Sequence, residues 1–244
     1  MARFFRLGPH GVVWNIGETQ KREFAEICET LNTLAIDDEA PGDASYFSAI
    51  VRDGNLDEIM LGNLIYMVEI GRYDMGGLFR WIAHNAAVAS DWASKIADET
   101  DAKAAREIAR AFVLETLRMD QSERLTREIT DGFTFEGFEF PVGWRVRICL
   151  WETHKDPDNF ALPFDFDPGR FLAETPSSNA YSPFGLDHHQ CPFSASSVAL
   201  GTQFLLSLLR DFNVSAVNDG ASIRGAYHWE PPVDFSVNLS FRTD

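Results

Sequence analysis

Residues 57–89 constrain the fold of this 244-residue chain more than any other segment. Apolar side chains recur there at helical spacing and proline is absent, although four glycines (Gly62, Gly71, Gly76 and Gly77) interrupt the run. A helix of about thirty residues is roughly 45 Å long, enough to cross a whole domain. A mainly helical architecture is therefore expected, with shorter helices gathered around this one. Such patterns open near Thr19 and run to Leu34, with Phe24, Ile27, Cys28 and Leu31 three and four residues apart. Others fall at 47–52, 91–99, 102–119 and 194–211.

Past Ser122 the pattern changes to short strands at 125–130, 134–135 and 145–150, and C-terminal strands, 233–241 among them, finish the chain. Gly132, Gly137 and Gly143 mark the turns. Residues 156–179 are rich in Pro and Asp yet keep Phe160, Phe164, Phe166 and Phe171, so they read as packed irregular structure rather than linker. No internal repeat is visible. One domain over 1–244 is expected, helical to 121 and then built of small sheets, loops and a last long helix.

The chemistry-bearing candidate is the loop from Tyr181 to Cys191, which runs straight into the last helical pattern. A thiol at a helix N-terminus meets backbone N–H groups and the positive end of the dipole, which favour thiolate. Such a sulfur serves as an iron ligand, and a buried, inert cysteine has the same local sequence. Glu115 and Arg118, spaced i, i+3, share one helix face and can pair there; alone, such a pair is common on solvated surfaces.

The order of Glu115-Thr-Leu-Arg118, Phe140-Pro-Val-Gly-Trp144, His154-Lys-Asp-Pro157, Phe166-Asp-Pro-Gly-Arg170-Phe171 and the cysteine loop resembles the C-terminal half of a cytochrome P450. The resemblance is strong from about Leu61 onward and implies a P450-like fold, mainly α with small β-sheets, lacking the N-terminal half. It implies heme b with Cys191 as the iron ligand, and Glu115, Arg118 and Arg170 as a structural triad beneath the heme loop. Arg127, ten residues before Gly137, and His189 match the partners of the heme propionates; a strand charge exposed to solvent is the other reading of Arg127. Phe184 and Gly71 complete the implied cofactor-contacting set. His188 matches no family role and is expected to face solvent or brace the loop.

Aligned on the family, residues 70–74 fall where an acid–alcohol pair delivers protons to bound dioxygen, and this chain has Tyr73 and Asp74 there. Asp74, and Glu69 one turn away, are the candidate proton carriers, since a carboxylate beside a dry cavity can be tuned for that task. Structural ion pairing among Glu69, Arg72 and Asp74 is the competing reading. Asp187 and Phe193 both replace family glycines. Asp adopts left-handed backbone at modest cost, whereas a phenylalanine two residues after the cysteine must displace something near the porphyrin.

These features imply a heme-thiolate oxidoreductase, a monooxygenase or a peroxide-driven oxidase of a small organic substrate, with a ferredoxin-type redox partner. A non-catalytic partner or activator subunit, and a heme-dependent non-redox enzyme, are the alternatives. A heme held by this half alone is expected to be covered by a second copy or another subunit. The formal net charge of −16 argues against nucleic acid and anionic membranes as partners. No run of about 18 apolar residues is present and the N-terminus lacks a signal-peptide pattern, so no membrane span and a cytoplasmic location are expected. Three widely spaced cysteines, Cys28, Cys149 and Cys191, give no disulfide framework. Cys149 is expected on an apolar strand as a core thiol.

Overall fold

A computed structural model describes residues 22, 25–27, 29–30, 58–121, 125–174, 176–218, 220–224 and 228–242. The chain divides into two compact units, Met1–Asp74 and Met75–Asp244. The boundary falls within helix α1, Glu58–Val88, which occupies the segment expected to be one long helix. In the first unit, the described residues between 22 and 30 are helical, as their spacing predicts, and Thr30 Oγ1 donates to the Glu26 carbonyl at 2.8 Å. The short helix expected at 47–52 lies outside the described residues, as does Cys28.

The second unit is built on four helical segments: the C-terminal part of α1, then α2 (Ser90–Ala97), α3 (Ala102–Thr116) and the last long helix. Asp101 starts α3 as its N-cap, its carboxylate accepting from the Lys103 N–H at 2.9 Å; such a cap typically contributes about 1 kcal/mol. Ala105, Ile108, Ala109 and Phe112 then recur three and four residues apart and form the buried stripe. Two short helices follow the strands, α4 (Leu150–Thr153) and α5 (Gly169–Ala173), before α6 (Ser194–Asp211). Leu205 and Leu209 of α6 join Leu78, Ile82, Ile96, Ile108, Phe112 and Val113 in one core. Gly201 lets α6 close on α1 and α3: a Cβ there would stand 3.0 Å from Ile82 and 3.1 Å from Val113. No described helix is long and apolar enough to cross a membrane.

Among the described residues the strands form four two-stranded antiparallel sheets: β1 (Leu125–Glu128) with β4 (Arg145–Ile148), β2 (Phe133–Phe135) with β3 (Phe138–Phe140), β5 (Phe212–Ala216) with β8 (Val237–Phe241), and β6 (Ile223–Arg224) with β7 (Trp229–Glu230). Three expectations need correction. The strand predicted to reach 150 stops at Ile148, because buried Leu150 opens α4; Cys149 is that helix's N-cap and is half-buried, not a core strand thiol. The last strand begins only at Val237, because residues before it turn through a bond from the Phe235 N–H to the Pro232 carbonyl. The third helix does not stay α to Met119; it widens into a π turn at Leu117–Gln121. Phe160 is buried and Phe166 packs on the core, as expected of a packed loop, whereas Phe164 is exposed.

Candidate functional site

The cysteine loop is shaped by two left-handed residues, Gly185 (φ 76°) and Asp187 (φ 52°). Asp187 therefore does what a glycine would do there, at the modest cost its short side chain allows. The Gly185 N–H donates to the Ser182 carbonyl at 3.0 Å and the Gln190 N–H to that of Asp187 at 3.0 Å. The Cys191 N–H then donates back to the Phe184 carbonyl at 2.8 Å, which closes the loop on itself. Cys191 emerges as a free, half-buried thiol three residues before α6. Phe193 is the helix N-cap with an unstrained backbone, and its side chain is 37% exposed.

A buried charged brace holds the segment beneath this loop. Arg118 pairs bidentately with Glu115, Nε to Oε2 at 2.7 Å and Nη2 to Oε1 at 2.8 Å, and both residues are fully buried. Arg170 Nε donates to the same Oε1 at 3.1 Å, and so does the Asp167 N–H at 2.8 Å. Arg118 Nη1 reaches the carbonyls of His154 and Pro163, each at 2.7 Å. The three charges expected as a triad thus meet, and their remaining hydrogen-bonding groups are satisfied by backbone, the condition under which a buried ion cluster is tolerated.

Brace and loop are joined through side chains that sequence reasoning did not single out. Tyr181 donates from its hydroxyl to the Leu114 carbonyl at 2.8 Å, and burial pushes its phenol well above the usual range. His154 Nε2 accepts from the Ser182 N–H at 3.1 Å, while its Nδ1 is buried without a partner. Burial first, then the charges of Lys155 and Arg118, push this imidazole down to about 3, so it is neutral at ordinary pH. Lys155 Nζ donates to the carbonyls of Arg118 (3.0 Å) and Met119 (3.2 Å), and Trp151 Nε1 adds a bond to the latter at 2.8 Å. A lysine and a tryptophan thus donate to two carbonyls of the π turn. Burial and the nearby Arg118 push Lys155 down to about 7, against the opposing pull of Asp120 and Glu115. Burial also raises the Asp120 carboxyl, offset in part by a 2.9 Å bond from Asn85 Nδ2. A signal for Lys155 existed in its place beside His154, but its acceptors lie 36 and 37 residues earlier.

The other candidates are placed as follows. Phe184 packs on the core while its carbonyl holds Cys191. Arg127 lies on β1, and its Nη1 donates to the neighbouring Thr126 carbonyl at 2.9 Å. His189 lies in a 3-10 turn, Asp187–His189, and its side chain is outside the description; His188 is exposed, as expected. Gly71, Asp74 and Glu69 sit on α1 in the first unit, and Cys191, Phe184, Arg127 and His189 belong to the second. A Cβ on Gly71 would meet nothing within 4 Å, Asp74 is half-buried, and the Glu69 side chain is outside the description. A cleft of about 560 Å³ lies beside the loop, lined by Arg106, Arg110, Tyr181, Phe184, Gln190 and Ser194 among others.

Among the described residues no group of three or more His, Cys, Asp or Glu is arranged to hold a bare metal ion. An iron carried by a macrocycle asks for one protein sulfur. Cys191 fits that requirement: its sulfur is in no disulfide, its N–H is spent on the loop, and Phe193 beside it stands partly in solvent.

Comparison with known proteins agrees with this geometry. Residues 93–224 match the family model described as cytochrome P450. The chain is 34% identical over 127 residues to cytochrome P450 family 716 subfamily AD polypeptide 2 of Citrus sinensis, covering 51% of this chain and 26% of that protein. It is 42% identical over 66 residues to beta-amyrin 28-monooxygenase of Barbarea vulgaris, 27% of this chain and 14% of that protein. The chain thus spans about a quarter or less of the curated relatives it matches. Among solved structures, a cytochrome P450 (CYP102L1) superposes with a TM-score of 0.78 at 18% identity, over 92% of this chain and 57% of that one. Retinoic acid bound cyanobacterial CYP120A1 superposes at 0.76 and 18% identity, over 98% and 63%. The fold is therefore P450-like, mainly helical with small two-stranded sheets, and the matched segment includes Glu115, Arg118, Arg170 and Cys191: the chain belongs to the cytochrome P450 family.

Proposed function

We propose that the chain binds heme b through Cys191 and oxidises a small organic substrate, by monooxygenation or with peroxide. The observation that carries this reading is Cys191 itself, a free, half-buried thiol presented by a closed loop at the start of α6. Heme, when bound, supplies an iron centre whose thiolate ligand donates electron density and favours O–O cleavage. In this reading the brace of Glu115, Arg118 and Arg170 fixes the loop so that the sulfur keeps one position. Arg127 and His189 each offer a cation or N–H to a propionate. Gly71 keeps room for a ligand, and Asp74 or Glu69 holds and moves the proton. The similarity to a beta-amyrin 28-monooxygenase supports an apolar substrate of terpenoid kind. A ferredoxin-type carrier is the proposed electron source, since the exposed Arg106 and Arg110 beside the loop suit an acidic partner.

The test is the absorption spectrum of purified, heme-supplemented protein, reduced and exposed to carbon monoxide. A Soret band of the thiolate type is expected, and Cys191→Ala loses it while its circular dichroism is unchanged. A wild-type chain that shows no Soret band after supplementation refutes the reading. Phe193, placed where the family has glycine, favours a second reading, a P450-like subunit that assists another chain without catalysis. That reading predicts normal folding with no heme uptake.

A further inference from the structure

The segment His154-Lys-Asp-Pro157 is left without a role by the heme reading, yet its histidine belongs to both parts of the site. His154 caps the C-terminal end of α4, donating its N–H to the Leu150 carbonyl at 2.9 Å, and is fully buried. Its backbone carbonyl accepts from Arg118 Nη1 at 2.7 Å, which ties it to the charged brace. Its imidazole serves the cysteine loop: Nε2 accepts from the Ser182 N–H at 3.1 Å, and the ring packs on Tyr181 with centroids 5.3 Å apart. The N–H groups of Ala180 and Tyr181 both go to the Ser177 carbonyl. That of Ser182, next in line and equally buried, goes instead to a side chain 28 residues earlier.

From Ser182 the connection runs on to the sulfur. The Ser182 carbonyl accepts from the Gly185 N–H at 3.0 Å, and inside that turn the Phe184 carbonyl meets the Cys191 N–H at 2.8 Å. Hydrogen bonds and short stretches of chain thus lead from Glu115 through Arg118, His154, Ser182 and Phe184 to Cys191. Tyr181 makes a parallel tie to Leu114, but that tie ends at a phenol, whereas the imidazole holds the loop backbone itself. An imidazole nitrogen that accepts carries no proton, so the proton of neutral His154 lies on Nδ1, the atom buried without a partner. An orphaned buried N–H is unfavourable, and an apolar side chain would pack here without one; what the histidine adds is its acceptor. Burial, with Lys155 and Arg118 beside it, keeps the ring neutral at ordinary pH, so that lone pair is available.

We propose that His154 is a positioning residue for the sulfur: through the Ser182 N–H its Nε2 sets where the Phe184 carbonyl holds Cys191. The purpose of this placement, a thiolate standing where an iron can take it, rests on the heme reading; the placement itself belongs to the chain without heme.

The test compares His154→Leu, which fills the space without an acceptor, with His154→Gln, whose side-chain carbonyl reaches the place of Nε2. In the heme-free chain, the rate at which iodoacetamide alkylates Cys191, followed by the mass of its peptide, reports how the sulfur is held. His154→Leu should raise that rate about tenfold, the size expected when one buried N–H loses its acceptor, and His154→Gln should stay within about twofold of the unsubstituted chain. In heme-supplemented protein, reduced and exposed to carbon monoxide, His154→Leu should show less of the thiolate-type Soret band per heme bound, and His154→Gln should keep it. A His154→Leu chain that melts earlier but keeps the Cys191 rate has lost packing alone and overturns the inference. So does a His154→Gln chain that behaves as His154→Leu. If the unsubstituted chain takes up no heme, the heme reading fails by itself, and the alkylation rates still decide this one. Should His154→Leu not fold, His154→Asn, too short to reach Ser182, takes its place and is held to the same outcomes.

Discussion

Around Glu115, a carboxylate and the Arg118 guanidinium are sealed from water with Arg170 at their edge, whereas along the hairpin Phe133–Phe140, aromatic rings face it. Ordinary burial preferences run the other way in both places. The brace is tolerated because each charged group has partners, and its worth lies in what happens when one is removed. The hairpin is tolerated because its backbone ladder is complete, and its rings lose little when one is removed. Stability is thus concentrated where the polar groups are.

Substitution of the brace should give the largest effect. Arg118→Ala leaves the Glu115 carboxylate buried beside fewer donors, and a loss of about 3–5 kcal/mol in denaturant-measured stability is expected. If Arg118→Ala costs no more than a surface substitution, the brace is not the stabilising centre.

The second comparison uses pH. The folded chain holds Lys155 at about 7 against 10.5 for the unperturbed amine, so the unfolded state binds more protons between those values. Stability should therefore rise as pH climbs from about 7 toward 10.5. His154, at about 3 against 6.5, has the same sign in a lower window, and stability should fall as pH drops from 6.5 toward 3. Thermal melts across both windows read this, and Lys155→Met should flatten the alkaline rise and, by removing one of the charges that depress His154, make the acid limb shallower. An alkaline limb unchanged in Lys155→Met would assign the rise to another group.

The smallest effect is expected at the hairpin. Phe135→Ser should change unfolding stability by less than about 0.5 kcal/mol. A loss several times larger would mean that the ring is covered within a single chain.

Local patterns carried most of what could be read beforehand. The period of α1, the i, i+3 spacing of Glu115 and Arg118 and the turn residues of the cysteine loop act over a few positions, and all three are found in place. The donors that Lys155 and Trp151 supply to the π turn were not legible, because they come from more than thirty residues away. The hairpin was half-legible: Phe133, Phe135, Phe138 and Phe140 alternate around Glu136-Gly137, but the second strand runs into Pro141 and reads as a turn. Cys149 was misplaced because the apolar run continues through Leu150, whose burial comes from a helix rather than a strand.

The brace also sets an order of assembly. Glu115 and Arg118 are three residues apart and can meet as soon as α3 forms, while the Asp167 and Arg170 donors arrive 52 and 55 residues later. Tyr181 reaches back 67 residues to Leu114, and Cys191 follows it. During synthesis the ion pair must wait, half-satisfied, for the ribosome to deliver its third member. Long-range closures of this kind form late and slowly, so the thiol is presented in its final position only when nearly all of the second unit has been made.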